Sequence, residues 1–292
     1  MSIFQAIIMG IVQGLTEFLP VSSSGHLAIM KNLLGVNTDT GILFDVLLHF
    51  ATLLAVFFVM YRDIIKLVVD FFQILRDLFI NIGRFFSNLT AIHKKPYIVL
   101  ASTSYRKFVI MLVISTIPTG ILGVLLSDVV TAAQSALLIP GICLIVTGLI
   151  LFLSDLLKEG RKKPKNANYG DAFAIGVTQG ISVLPGLSRS GTTITACLLC
   201  GFDRKFAVKY SFIMSMPAIL GAMVLELTDI GGTHLAGSEI AAYIIGMIFA
   251  AAVGFFAIRI MLNVVMNRYF KYFAFYCLAI GAVSIIAYLV ML

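Results

Sequence analysis

The sequence predicts an all-α integral membrane protein with an inverted-topology repeat, each half one re-entrant helical hairpin plus three transmembrane helices. Three observations predict it. Of the 292 residues, 60% are hydrophobic and only 12% charged, where a soluble domain has about half and about a quarter. Six apolar runs reach the length of about 20 residues that crosses a bilayer. The serine-rich stretch FLPVSSSGHL at 18–27 is made almost a second time as LPGLSRSGTT at 184–193.

The six runs are 41–61, 108–126, 136–157, 206–227, 240–262 and 272–292. Two further apolar regions, 2–34 and 171–200, are each interrupted by the serine-rich stretch, where Pro20 and the Pro185-Gly186 pair break any helix. The arm at 24–34, SGHLAIMKNLL, covers only about 16 Å as a helix, about half the hydrocarbon core. The arm at 189–200 is similarly short. Each region therefore reads as a hairpin that dips into the membrane and leaves on the side it entered. Irregular backbone at that depth needs protein or a wet cavity around it.

The two hairpins align at a fixed offset. Gly10, Gln13, Gly14, Ser22, Ser24 and Gly25 match Gly176, Gln179, Gly180, Ser188, Ser190 and Gly191, each 166 residues on (176 − 10). One membrane domain, 1–292, thus divides into a first repeat at 1–157, a basic linker at 158–170 and a second repeat at 171–292. Within the first repeat, 64–105 is an insertion, amphipathic over 64–95, expected to lie on the inner surface or to extend the preceding span.

A hairpin adds no crossing and three spans add an odd number, so the second repeat must lie upside down relative to the first. Charge agrees. The loop at 62–107 carries Arg62, Lys66, Arg76, Arg84, Lys94 and Lys95, and those at 158–165, 203–205 and 268–271 are also basic. The loops at 35–40, 127–135 and 228–239 hold no Lys or Arg. Putting the basic set inside places both termini outside and brings the two serine-rich tips together near mid-membrane.

The net charge of +7 follows from these loops and excludes a nucleic-acid reading. Cys143, Cys197, Cys200 and Cys277 all lie in apolar runs, and the Cys197–Cys200 pair lacks the further ligands zinc needs, so they read as packing residues. The opening MSIFQAIIMG has no basic n-region and no small-residue cleavage site, so it is not expected to be a removable signal peptide.

Small residues at the tips could serve packing alone. The differences between the copies point to a site instead. Glu17 is matched by Val183, Ser23 by Arg189 and His26 by Thr192, so one tip carries a carboxylate, a hydroxyl and an imidazole and the other a permanent cation. Ionisable groups at membrane depth cost several kcal/mol and are kept for a partner or a function. Two helix N-termini and an Arg fork suit a multiply charged anion such as phosphate. The candidate catalytic residues are Ser23, His26, Glu17 and Arg189. Ser22, Ser24, Gly25, Ser188, Ser190, Gly191, Thr192, Gln13 and Gln179 are candidates for holding the phosphate. His26 lies three residues after Ser23, within reach of activating it. Glu17 could hold a divalent metal, orient His26 or move a proton, and Gln13 and Asp45 are further metal-ligand candidates. Asp45 and His49, four apart, either reach the site or face the interface. His93 and His234 read as solvated.

With GxxQGxTEFLPVSSSGH at 10–26 and PGxSRSGxT at 185–193, the chain resembles the undecaprenyl-diphosphate phosphatase family of the bacitracin-resistance type. The resemblance runs the full length and includes Ser215-Met216-Pro217. It implies hydrolysis of undecaprenyl diphosphate, a polyprenyl diphosphate lipid substrate, to recycle the cell-wall lipid carrier. It also implies Mg²⁺ or Ca²⁺ as cofactor and a site open to the outer side of a bacterial plasma membrane. The family commonly carries Glu where this chain has Gln13, so Glu17 is expected to take more of the metal-holding duty. Attack on phosphorus by Ser23, by His26 or by water remains open. A homodimer is a candidate assembly, and a polyprenyl-phosphate flippase is the competing function, since it would use the same anion nest.

Overall fold

A computed structural model describes residues 1–36, 38–134, 138–158, 160–229 and 237–291. The described chain is helical throughout, with one isolated bridge between Lys162 and Phe202. The elements are α1 (Ile3–Phe18), α2 (Ser23–Leu34), α3 (Thr38–Thr90), α4 (Ser104–Leu125), α5 (Ser127–Gln134), α6 (Leu138–Leu156), α7 (Tyr169–Ile181), α8 (Arg189–Leu199), α9 (Arg204–Asp229), α10 (Gly237–Met266) and α11 (Phe270–Met291).

Among the described residues, six helices are long and apolar enough to cross a membrane: α3, α4, α6, α9, α10 and α11. They coincide with the six runs read from the sequence, which makes this a multi-pass membrane protein. The loop expected at 228–239, and His234 within it, lie largely outside the described residues. The segment beginning at 64 follows a kink at Met60 (φ −117°, ψ 21°), where two helices join to make the 53 residues of α3.

Local signals set the helix starts. Ser2 caps α1 and exchanges a second bond with Gln5, Asn168 does the same for α7 with Asp171, and Thr103 caps α4. Leu19 is extended before Pro20, which ends α1.

The packing pairs α1 with α10, α7 with α4, and α6 with α11. The repeated glycines explain the first two pairs. A Cβ on Gly10 would collide with the Gly246 carbonyl, and one on Gly14 would sit 2.7 Å from the Ala250 oxygen. A Cβ on Gly176 would collide with the Ser115 carbonyl, and one on Gly180 would sit 2.6 Å from Leu122 Cβ. Close backbone approach is how helices gain packing where lipid offers no hydrophobic drive. Side-chain hydroxyls add cross-helix bonds: Thr119 Oγ donates to the Gly176 carbonyl at 2.9 Å, and Ser115 Oγ lies 2.6 Å from the Tyr210 hydroxyl.

Candidate active site

The two helix breaks are built differently and meet. After α1 the chain turns at Ser22, which takes the left-handed φ of 69°, a strain of about 1–3 kcal/mol for a residue with a side chain. Its hydroxyl accepts the Gly186 N–H at 3.1 Å, a bond from one tip to the other. Gly186 itself has φ 90°, and a Cβ there would collide with the Pro140 carbonyl, so only glycine fits. Ser190 Oγ donates to the Leu19 carbonyl at 3.4 Å, a second link between the tips.

Glu17 is the hub. Its side chain is 3% exposed. One carboxylate oxygen is paired with Arg189 of the opposite tip. The other accepts from Ser23 Oγ at 2.8 Å and from Gln13 Nε2 at 3.0 Å. His49 Nε2 stands 3.7 Å from that same oxygen. Because a carbonyl can only accept, the 2.8 Å contact between His49 Nδ1 and the Asp45 carbonyl puts the neutral ring's proton on Nδ1. Nε2 is then the nitrogen that faces Glu17.

An open pocket adjoins this hub. Of the residues expected from the sequence, Glu17, Ser22, Ser23, Ser24, Gln179, Ser188 and Arg189 line it. The others are placed around it. Ser188 Oγ caps α8 by accepting the Gly191 N–H at 3.2 Å, and Thr192 Oγ donates to the Ser188 carbonyl at 2.9 Å. Part of the N-terminal donor set of α8 is thereby already satisfied. Ser190 pairs with Ser188 at 3.3 Å, as Ser24 does with Ser22. Gly25 lies in the first turn of α2.

His26 is directed elsewhere. Its Nδ1–H donates to the Ser22 carbonyl at 2.8 Å, and Nε2 lies 2.6 Å from the Tyr276 hydroxyl, on whose ring it stacks. The Ser23–His26 pair expected from spacing is therefore not formed in this arrangement. Ser23 bonds to the carboxylate instead. Asp45 is ion-paired with Lys31 and does not line the pocket, whereas His49, one turn on, does.

Thr16, Ser182 and Thr119 also line the pocket and were not singled out from the sequence. Thr16 and Ser182 stand at the repeat offset of 166 (182 − 16), a signal that could have found them. Thr119 sits in an apolar span and reaches the pocket only because α4 packs on α7.

The donor set bears on a divalent cation. Gln13 Oε1 is buried and unpartnered, one turn before the Glu17 carboxylate. An oxygen acceptor left free beside a carboxylate fits a hard cation. No three His, Cys, Asp or Glu side chains converge among the described residues, so such a cation would draw further ligands from substrate and water, as Mg²⁺ usually does.

The sequence matches the family described as bacitracin resistance protein BacA over residues 6–283. It is 39% identical to an undecaprenyl-diphosphatase of Alkaliphilus metalliredigens, with 98% of each chain covered. It is 40% identical to one of Halothermothrix orenii over 98% of each chain, and 42% identical to one of Treponema denticola over 96% of each.

Proposed function

The chain belongs to the bacitracin resistance protein BacA family, and on that premise we propose that it is an undecaprenyl-diphosphate phosphatase. It hydrolyses undecaprenyl diphosphate to undecaprenyl phosphate and inorganic phosphate, returning the lipid carrier to cell-wall synthesis. The observation that carries the reading is the junction of Glu17, Ser23 and Arg189 at the wall of one pocket.

The terminal phosphate enters the pocket and takes over the Arg189 guanidinium, whose fork matches two phosphate oxygens. Ser22, Ser24 and Ser188 offer hydroxyl donors around it. Ser23 Oγ attacks the terminal phosphorus, and its proton passes to the Glu17 oxygen that already accepts it, with His49 Nε2 next in line. Undecaprenyl phosphate leaves as the bridging P–O bond breaks. Water then hydrolyses the phosphoserine and releases phosphate. Glu17 and Gln13 Oε1 would hold a divalent cation, Mg²⁺ or Ca²⁺, whose charge lowers the repulsion among phosphate oxygens.

His26 enters this scheme only if its ring leaves Tyr276. Tyr276→Phe separates its two roles. If His26 serves Ser23, freeing the ring leaves turnover unchanged or raises it, while His26→Ala abolishes it. If His26 only braces α2 against α11, the two variants lose similar, small amounts of stability and activity. Steady-state phosphate release with melting curves distinguishes them.

The architecture we infer is the inverted repeat. It is supported by the crossed packing, in which the first hairpin helix lies on α10 and its equivalent on α4, with the equivalent glycines at both contacts. Re-entrance is supported by the lengths of α2 and α8, 12 and 11 residues, which span about 16–18 Å each. The basic loops support a cytoplasmic side at the start of α4, which puts the pocket and both termini outside.

Phosphate release from a polyprenyl diphosphate by purified protein, with and without Mg²⁺ or Ca²⁺, tests the function. Metal-dependent release that disappears in Ser23→Ala is expected. No release from folded protein would favour transport of polyprenyl phosphate, the second reading, for which the paired inverted tips are the supporting observation.

A further inference from the structure

The half of α3 beyond Met60 takes no part in the pocket, yet its sequence is strongly patterned. FFVMYRDII at 57–65 recurs as FFQILRDLF at 71–79, fourteen residues on (71 − 57), and a third Phe-Phe pair follows at 85–86. Fourteen residues are four helical turns, so the pattern stays on one face. Ile65, Val68, Phe72, Phe79, Ile82 and Phe86 form a stripe along it, and all are exposed, Phe72 by 63%, Phe79 by 70% and Phe86 by 64%.

The opposite face is spent on the protein itself. Asp63 accepts from Tyr105 at 2.7 Å and pairs with Lys209. Asp77 is held by Arg106 at 2.8 Å. The Asn81 and Asn88 amides each make two bonds to the backbone of the returning segment at Ile98 and Lys95. Charge is thereby sorted. Asp63 and Asp77 face protein cations, Arg76 among them, while Arg62, Lys66, Lys94 and Lys95 are exposed.

Leu43 to Met60 already fills a bilayer core, 18 residues (60 − 43 + 1) or about 27 Å. The remaining 30 residues to Thr90 (90 − 60) would project about 45 Å further. A helix standing in water with that face bare would expose far more contiguous apolar surface than soluble proteins keep. Met60 is the non-helical position at which it can turn.

We propose that this arm lies on the leaflet next to the start of α4, with its phenylalanine face in the acyl boundary and its exposed basic residues on anionic lipid headgroups. An amphipathic helix with bulky apolar residues on one side and Lys and Arg beside them takes that position. A second copy of the chain is disfavoured by the same charges. Basic flanks of two arms would face each other with no exposed acid between them, because Asp63 and Asp77 are turned inward and Asp70, on the same helix face, is half-buried. The inference does not depend on the phosphatase reading.

The chain contains no tryptophan, so Phe79→Trp in the full-length protein gives a single tryptophan, on the stripe, that can be excited selectively beyond the tyrosine band, and Phe86→Trp repeats the test if the first variant misfolds. The protein is reconstituted in vesicles of phosphatidylcholine and phosphatidylglycerol with brominated acyl chains. Severalfold quenching by bromolipid with protection from aqueous iodide is expected, and the quenching should fall in pure phosphatidylcholine. Iodide quenching without lipid quenching would overturn the proposal. Protection from both quenchers in a protein that sediments as a dimer would overturn it in favour of a second copy. Equal lipid quenching in neutral vesicles would remove the headgroup part.

Discussion

Replacing Arg189 with alanine is expected to lower kcat/KM for a polyprenyl diphosphate by about 10²–10³-fold, the loss that follows removal of one preorganised donor to a developing oxyanion. Arg189 is the cation of the second tip and the partner of Glu17. The same change strands a buried carboxylate, at a cost of about 3 kcal/mol, the lower end for a broken buried pair, because the Arg189 side chain is itself 22% exposed. Adding Glu17→Gln should restore most of the melting temperature in detergent and none of the turnover. Recovery of activity along with stability would make the pair a brace between the tips. Full activity in Arg189→Ala alone would remove Arg189 from the site.

Gly10→Ala and Gly176→Ala should each destabilise the fold by about 1–3 kcal/mol, the usual range for overpacking. Each would drive a methyl into backbone, Gly246 in one case and Ser115 in the other, and backbone cannot yield as a flexible side chain can. Gly83→Ala is the internal control. Nothing lies within 4 Å of that position on the α3 arm, so the change should stabilise by up to about 1 kcal/mol through helix propensity alone. Melting curves of the three variants check both signs. Equal behaviour at Gly10 and Gly83 would mean that close approach of α1 and α10 is not what the glycine serves.

Much of the fold was legible because a bilayer imposes strict lengths. The six spanning helices follow from apolar run length, the breaks from Pro20 and Pro185, and the paired tips from glycines and serines repeating at one offset. The end of the first span was less legible. Residues 57–90 keep a helical apolar period straight through it, which left open whether 64–95 lies on the inner surface or extends the span, and the structure joins two helices there at a kink at Met60.

The sequence by itself determined which residue types gather at the tips: a carboxylate and hydroxyls on one, a cation on the other. Only the tertiary structure decided which of them touch. Ser23 and His26 are one turn apart, and spacing alone makes them partners. Yet the His26 ring is held by Tyr276, 250 residues away, and Ser23 turns to Glu17. His49 reaches that same carboxylate from another helix. Local spacing sets which face of a helix a side chain occupies. What that face meets is set by how distant helices pack, which here brings α1, α2, α3 and α8 around one carboxylate.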